Sequence, residues 1–276
     1  MKIVIIPNEK KDKDFALTKN VIAELSSLGA SVFLDAALPL KDDSVSVFDC
    51  FPSDADVIIV IGGDGSILDA SHYAVQFGIP ILGINLGRLG YLSALAPEEI
   101  SGLASLLTGD YSVEEKMLLS ISIDGVSVSE RLAVNEVVFS HSNPIELTHI
   151  KMTDRYGASV KYRADGLIFA TSVGSTAYSL SAGGPIVDPE LESILMTPIC
   201  PHSLVGRSLV FRPNAVIGVS SAEDVTLCLS ADGAEPQKIE PGCRAEISRA
   251  EFTADFIRIK SENFIDILYR KLAQRR

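Results

Sequence analysis

Val57-Ile58-Ile59-Val60-Ile61 is apolar and β-branched at every position, and it empties into Gly62-Gly63-Asp64-Gly65. A run with no polar alternation is a strand covered on both faces, the pattern of a parallel sheet with helices on either side. Ser66 to Phe77 follows with helical periodicity and is closed by Gly78, so the unit reads strand, glycine loop, helix. In open α/β sheets ligands lie beyond the carboxyl ends of strands, and a helix start preceded by glycines offers backbone N–H groups to phosphate. Asp64 is the surprising member. A carboxylate there repels phosphate unless it holds a metal ion or takes a proton from an attacking hydroxyl, and both roles belong to phosphoryl transfer. The plain alternative is a turn or N-cap aspartate.

The same grammar runs through the first hundred or so residues. Ile3 to Ile6 is a short buried strand. Phe15 to Leu28 carries Leu17, Val21, Leu25 and Leu28 at helical spacing before Gly29, and Ser31 to Leu34 is a second strand. Ile79 to Ile84 is another strand, leading through a glycine-rich loop from Asn85 to Gly90. Pro97 then stands at a first helical position, ahead of Ile100, Leu103, Leu106 and Leu107. These residues predict an α/β domain with an open, twisted, Rossmann-like sheet.

From Met117 the pattern changes to short alternating segments punctuated at Asp124-Gly125, Asp232-Gly233 and Pro241-Gly242, with Tyr156-Gly157 weaker. Leu118 to Val128, Ala133 to Ser140, Ile150 to Val160, Ala215 to Val219, Val225 to Ser230 and Arg244 to Ile247 are the predicted strands of an all-β, sandwich-like domain. Thr176 to Ala182 is helix-compatible. The tail from Ser261 returns to helix with Phe264, Ile267, Leu268 and Leu272 on one face, expected to pack back on the first domain. The predicted division is residues 1–112, 113–255 and 256–276.

Composition narrows the function classes. With 47% hydrophobic and 22% charged residues, the chain has the material for a packed core rather than a disordered polymer. Its 24 Lys+Arg against 36 Asp+Glu give a net charge of -12, which opposes sequence-independent nucleic-acid binding. No stretch approaches a membrane span, and the apolar run after Met1 stops at Pro7, too short for a signal peptide. Cys50, Cys200, Cys228 and Cys243 form no CxxC and are expected to be small buried hydrophobes, which together points to the cytoplasm. His72, His141, His149 and His202 show no ligand spacing, and no protein metal ligand is expected.

Two further stretches carry polar chemistry. Arg163 to Pro189 is crowded with small and hydroxyl-bearing residues, suited to close backbone approach to a polar ligand or, equally, to a plain connection between sheets. For Tyr178 the plain reading is a core aromatic. Asn135 and Glu136 are adjacent polar residues on opposite faces of an apolar element, and burying them unpaired would cost roughly 1–3 kcal/mol each. Each therefore needs a partner, from the protein or from a ligand. Phosphate-loop, HRD, GxSxG, HExxH and GxGxxG signatures are missing.

Gly62-Gly63-Asp64-Gly65, Gly87-Arg88-Leu89-Gly90-Tyr91, Asn135-Glu136, Asp165-Gly166-Leu167 through Gly174-Ser175-Thr176-Ala177-Tyr178 to Val187, and Thr197-Pro198-Ile199 through His202-Ser203-Leu204 to Arg207-Ser208 stand in the order seen in NAD kinases. The resemblance spans nearly the whole chain, and the segment from Asp165 to Val187 is its most specific part. It implies transfer of the terminal phosphoryl of ATP, or of polyphosphate in some members, to the 2′-hydroxyl of the adenosine ribose of NAD. In that family Asp64 matches the catalytic base, and Gly65 beside it falls among the substrate-binding residues. Asn135 and Glu136 match residues that bind adenosine and ribose, and Tyr91 matches a loop aromatic near the adenine. Arg163 and Asp165 match residues around the second ribose and the nicotinamide. Val173, Thr176, Ala177, Tyr178, Ser179, Leu180 and Ser181 match the segment that holds adenine and neighbouring groups. The resemblance also implies a divalent cation, Mg²⁺, held mainly by the ATP phosphates, and a homo-oligomer, dimer or tetramer. Four positions depart from the family pattern: Ser172 where proline is usual, Val173 where a hydroxyl is usual, Ser66 for threonine, and Ala234 where a ligand-contacting side chain is common. Two other classes stay open, a lipid or small-molecule kinase sharing only Gly-Gly-Asp-Gly, and a non-catalytic dinucleotide sensor. The only basic cluster that could favour a membrane is the modest C-terminal Arg270, Lys271, Arg275 and Arg276.

Overall fold

The computed structural model describes residues 1–87, 90–124, 132–142, 148–202, 206–260 and 263–274. The chain divides into two compact units, Met1–Glu115 with Ala254–Arg276, and Lys116–Thr253.

In the first unit, β1 (Lys2–Pro7), α1 (Ala16–Ser27), β2 (Ser31–Asp35), β3 (Ser46–Phe48), β4 (Val57–Gly62), α2 (Asp64–Phe77), β5 (Ile81–Asn85), β6 (Ser93–Leu95) and α3 (Ala104–Thr108) follow in turn. The sheet runs β3-β2-β1-β4-β5, every pair parallel. β4 is buried at all six positions because both of its faces are covered. Val57, Ile59 and Ile61 join Leu17, Val21, Ile22 and Leu25 of α1 and Leu106 of α3 in one core. On the other face Ile67 of α2 is packed so closely on β5 that a Cβ at Gly83 would overlap its side chain. Each fully buried aliphatic side chain contributes roughly 1.5–3 kcal/mol, so β4 is the anchor of this unit. The glycine signals act as expected: Gly29 (φ 80°) and Gly78 (φ 65°) adopt the left-handed turn that ends α1 and α2.

The second unit contains most of β7 (Ser112–Ile123), then β8 (Leu132–Ala133), β9 (Glu136–His141), β10 (Thr148–Asp154), β11 (Ser159–Ala164) and β12 (Gly166–Thr171). After α4 (Tyr178–Ser181) come β13 (Ile194–Ile199), β14 (Leu209–Phe211), β15 (Ile217–Ser221), β16 (Leu227–Ala231), β17 (Gln237–Ile239) and β18 (Arg244–Arg258). α5 (Phe264–Gln274) closes the chain in the first unit. One antiparallel sheet runs β14-β13-β12-β9-β16-β17, and the other runs β11-β10-β15-β18 with β7 on β18 and β8 on β7. Their inner faces meet in a core that takes Val137, Phe139, Leu167, Phe169 and Met196 from one sheet and Leu119, Ile150, Val219 and Ile247 from the other. Phe139 and Phe169 pack edge to face at 5.8 Å. The unit is the β-sandwich expected of it.

Several boundaries move. The stretch Ile150 to Val160, expected as one strand, is parts of β10 and β11, turned at Gly157 (φ 85°). Ala133 to Ser140 breaks at Val134 and Asn135, for the reason given below. β12, β13 and β14 were not anticipated: Gly-Leu-Ile-Phe-Ala-Thr lacks alternation because β12 is covered twice, by the sandwich core and by Val187 and Ala182 on its other face. β18 runs to Arg258, well past Ile247. The cysteines were expected inside, yet Cys50 and Cys200 are exposed and Cys228 and Cys243 half-buried, with the apolar volume filled by Ile, Val and Leu. Gly125, Arg88, Leu89, Ser203, Leu204, Arg275 and Arg276 lie outside the described residues. Among the described residues no helix is long and apolar enough to cross a membrane.

Candidate functional site

Asp64 is neither a turn residue nor an N-cap. α2 begins two residues earlier than its sequence suggests, with Gly63 as N-cap and Asp64 as its first residue. The carboxylate turns away from its own helix: Oδ2 accepts from the backbone N–H of Tyr91 at 3.0 Å and Oδ1 from that of Leu92 at 3.2 Å. Lys271 of α5 donates to Oδ2 at 2.9 Å, while the side chain of Asp64 remains 32% exposed and so accessible to a reacting group. The close approach requires Gly90, where a Cβ would overlap Oδ1. It is sealed from behind by Arg258, which donates to the carbonyls of Tyr91 (3.0 Å), Leu92 (3.3 Å) and Ser93 (3.1 Å) and pairs with Glu114. Upstream, Gly62 is required because Ser66 packs on it, and Asn8 donates to Ser66 Oγ at 2.8 Å. Gly65 is exposed beside the carboxylate, and Lys11 brings an ammonium next to Gly63.

In the second unit Asp232 organises the Asn135-Glu136 pair. Its carboxylate accepts three successive backbone N–H groups, from Val134 at 2.7 Å and from Asn135 and Glu136 at 2.9 Å each. Three converging amides interrupt the ladder and leave Glu136 as the first residue of β9, so the two polar residues do not alternate across one strand. From the other side Thr171 donates to the carbonyls of Val134 and Asn135, and a Cβ at Gly174 would overlap the latter. Asn135 is half-buried. Glu136 is buried, and its Oε2 has no hydrogen-bond partner among the described residues.

Burial, reinforced by the Asp232 charge, pushes the Glu136 carboxyl from its ordinary 4.5 to about 7, and the Tyr178 backbone N–H offsets this only in part. A raised carboxyl pKa in the folded state gives stability that is full below the ordinary value and is lost as pH rises through about 7. That loss is worth roughly 3 kcal/mol. Glu136→Gln removes the titration while keeping a carbonyl for the Tyr178 N–H. Urea unfolding of wild type should therefore weaken between pH 5 and 8 and that of the variant should not; equal pH profiles would disprove the assignment.

The segment after β12 gathers on the same end of the sheet. Ser175 and Ser179, expected among the ligand-reading hydroxyls, are fully buried; Ser175 Oγ accepts the Val187 N–H and Ser179 pairs with Thr197 at 2.9 Å. Thr176 is nearly buried, Val173, Ala177 and Leu180 are half-buried, and Ser181 is exposed. Tyr178 is 43% exposed and not the core aromatic of the plain reading. Arg163, exposed at the end of β11, and Asp165, half-buried before β12, stand at the opposite end of the sheet. Ala170 pairs with Glu136 and Gly166 with Ser140, a separation of about 13 Å along the strand. The second unit therefore presents two polar clusters at the two ends of β12.

Three residues were passed over by the sequence reading. Asp232 looked like half of a turn pair, and only its left-handed φ of 48° hints that its side chain has other work. Arg258 and Lys271 carried no signal beyond charge.

The chain thus joins a parallel α/β unit, with a backbone-held carboxylate at the start of a helix, to a β-sandwich unit. Residues 3–111 match the ATP-NAD kinase N-terminal domain and residues 134–259 the ATP-NAD kinase C-terminal domain. NAD kinases of Symbiobacterium thermophilum and Caldanaerobacter subterraneus are 34% and 37% identical to it, each over 99% of both chains. Among solved structures, an NAD kinase from Archaeoglobus fulgidus in complex with ATP superposes with a TM-score of 0.77 at 27% identity, covering 98% of this chain and 99% of that one. Yeast NADH kinase complexed with NADH gives 0.83 at 25% identity, covering 99% and 87%. The chain belongs to the NAD kinase family.

Proposed function

We propose that the protein transfers the terminal phosphoryl of ATP to the 2′-hydroxyl of the adenosine ribose of NAD, forming NADP, with Asp64 as the general base. The observation that carries this reading is the Asp64 carboxylate itself, aimed by two backbone amides at the head of α2 and still partly exposed. It takes the hydroxyl proton as the ribose oxygen closes on the phosphorus and the bond to ADP breaks. The unpartnered Glu136 Oε2 is an acceptor suited to a ribose hydroxyl, and Asn135 beside it has an amide able to read adenosine. The two polar clusters on β12 suit the two nucleoside ends of one dinucleotide, with Arg163 and Asp165 serving the nicotinamide end. Val173, Ala177, Tyr178, Leu180 and Ser181 offer the adenine end surface and backbone, Tyr91 its ring, and the buried Thr176 and Ser179 hold that segment in shape.

Phosphate meets the glycine loop and Lys11. A divalent cation, Mg²⁺, enters on the donor as Mg-ATP, held mainly by its phosphates. The same site could accept polyphosphate as donor. The reading includes a cytoplasmic homo-oligomer, dimer or tetramer, with the exposed Leu209 and Val210 of edge strand β14 as contact surface.

The test is purified protein with NAD, Mg²⁺ and either ATP or polyphosphate, NADP being read by an NADP-specific dehydrogenase. NADP is expected with ATP. Its absence with both donors, despite NAD binding in a titration, would replace this reading with the sensor.

A further inference from the structure

Lys271 lies near the end of the chain, 207 positions from Asp64, yet its Nζ stands 2.9 Å from the Asp64 carboxylate and 3.5 Å from the centre of the Tyr91 ring. Its side chain is only 15% exposed. Holding a long, flexible ammonium largely out of water is costly unless partners replace that water, and here a carboxylate and an aromatic face do so. α5 is anchored by the buried Leu268, with Phe264, Ile267 and Leu272 half-buried around it, while Ile265 and Tyr269 are 51% and 67% exposed. Arg258, also from the C-terminal segment, holds the carbonyls of the loop whose amides hold Asp64. The end of the chain thus grips Asp64 directly and through its loop.

An ion pair to a general base is asymmetric in time. Before reaction the ammonium faces a carboxylate; once the base has taken a proton, it faces a neutral acid. We propose that Lys271 is the charge partner of phosphoryl transfer, paired with Asp64 in the ground state and turning to the transferring phosphoryl oxygens as Asp64 is protonated. The inference rests on Asp64 being the base. The step balances: the ribose O–H proton passes to Asp64, the ribose O–P bond forms, the P–O bond to ADP breaks with its electron pair leaving on ADP, and Lys271 keeps its proton. Its contribution is realised only as charge moves, so it acts on turnover more than on NAD binding.

The experiment compares full-length wild type with Lys271→Met, Lys271→Arg and Lys271→Ala in the NADP assay. Met should lower kcat about 10²-fold with the KM for NAD within about threefold, since only transition-state charge is lost. Arg should recover part of the rate, and added ethylammonium should restore part of the Ala variant's kcat saturably, a readout that a purely structural lysine would not give. An active wild type with an unchanged or faster Met variant overturns the inference and leaves the kinase reading standing. A slower variant whose loss follows a lower melting temperature, with no rescue by amine or Arg, overturns it too. A wild type that makes no NADP overturns the reading and this inference together.

Discussion

Asp64→Asn should lower kcat for NADP formation by about 10³-fold or more while leaving the NAD dissociation constant within about twofold, because general-base catalysis contributes 10²–10⁴ and a nearly isosteric change leaves the surrounding surface in place. The amide has nearly the shape of the carboxylate but cannot take the proton. It also fits its surroundings badly. Asp64 accepts from three donors, the N–H groups of Tyr91 and Leu92 and the Lys271 ammonium, and an amide has only one accepting oxygen. Its NH₂ must face a donor in either orientation, so some loss of stability, on the order of 1–2 kcal/mol, accompanies the lost turnover. Calorimetric titration with NAD separates the two effects. Turnover within tenfold of wild type would remove Asp64 as the base.

Gly90→Ala should lower kcat roughly 10²-fold, though residue 90 bears no functional group of its own. A Cβ there would overlap Asp64 Oδ1 and crowd Ser93 Oγ at 2.7 Å. The backbone has little room to retreat, since Arg258 holds the carbonyls of the next three residues. The softest response is rotation of the Asp64 carboxylate, which forfeits the Tyr91 and Leu92 amides and misplaces the base by about 1 Å, a displacement that can cost 10²-fold. The melting temperature should fall by only a few degrees, because the strain is relieved by a partly exposed side chain. Full activity in Gly90→Ala would mean that the geometry of the Asp64 carboxylate does not govern the reaction.

How much of this was legible in the chain depends on the range of the interaction. β4, α1, β5, α2 and α5 were readable because apolar periodicity and glycine stops are local, and a doubly covered strand has to be apolar throughout. The sandwich was readable as a class, from its turn pairs and alternation. β12 was not, since a strand buried on both faces among small and hydroxyl-bearing residues looks like a ligand loop. The partners of the Ser175 and Ser179 hydroxyls were hidden for the same reason: composition shows that they need partners, not that Val187 and Thr197 supply them.

The sequence by itself determined the two-domain layout, the place of Asp64 at the mouth of a parallel sheet and the family to which the chain belongs, all carried by periodicity and short motifs. Only the tertiary structure decided how those residues are held: Asp232 taking three amides beside Glu136, Arg258 and Gly90 shaping the loop at Asp64, and Lys271 reaching Asp64 from the last helix. The physical reason is that hydrogen bonds and ion pairs depend on distance and direction in space, and between residues 96 to 207 positions apart those are set by packing alone.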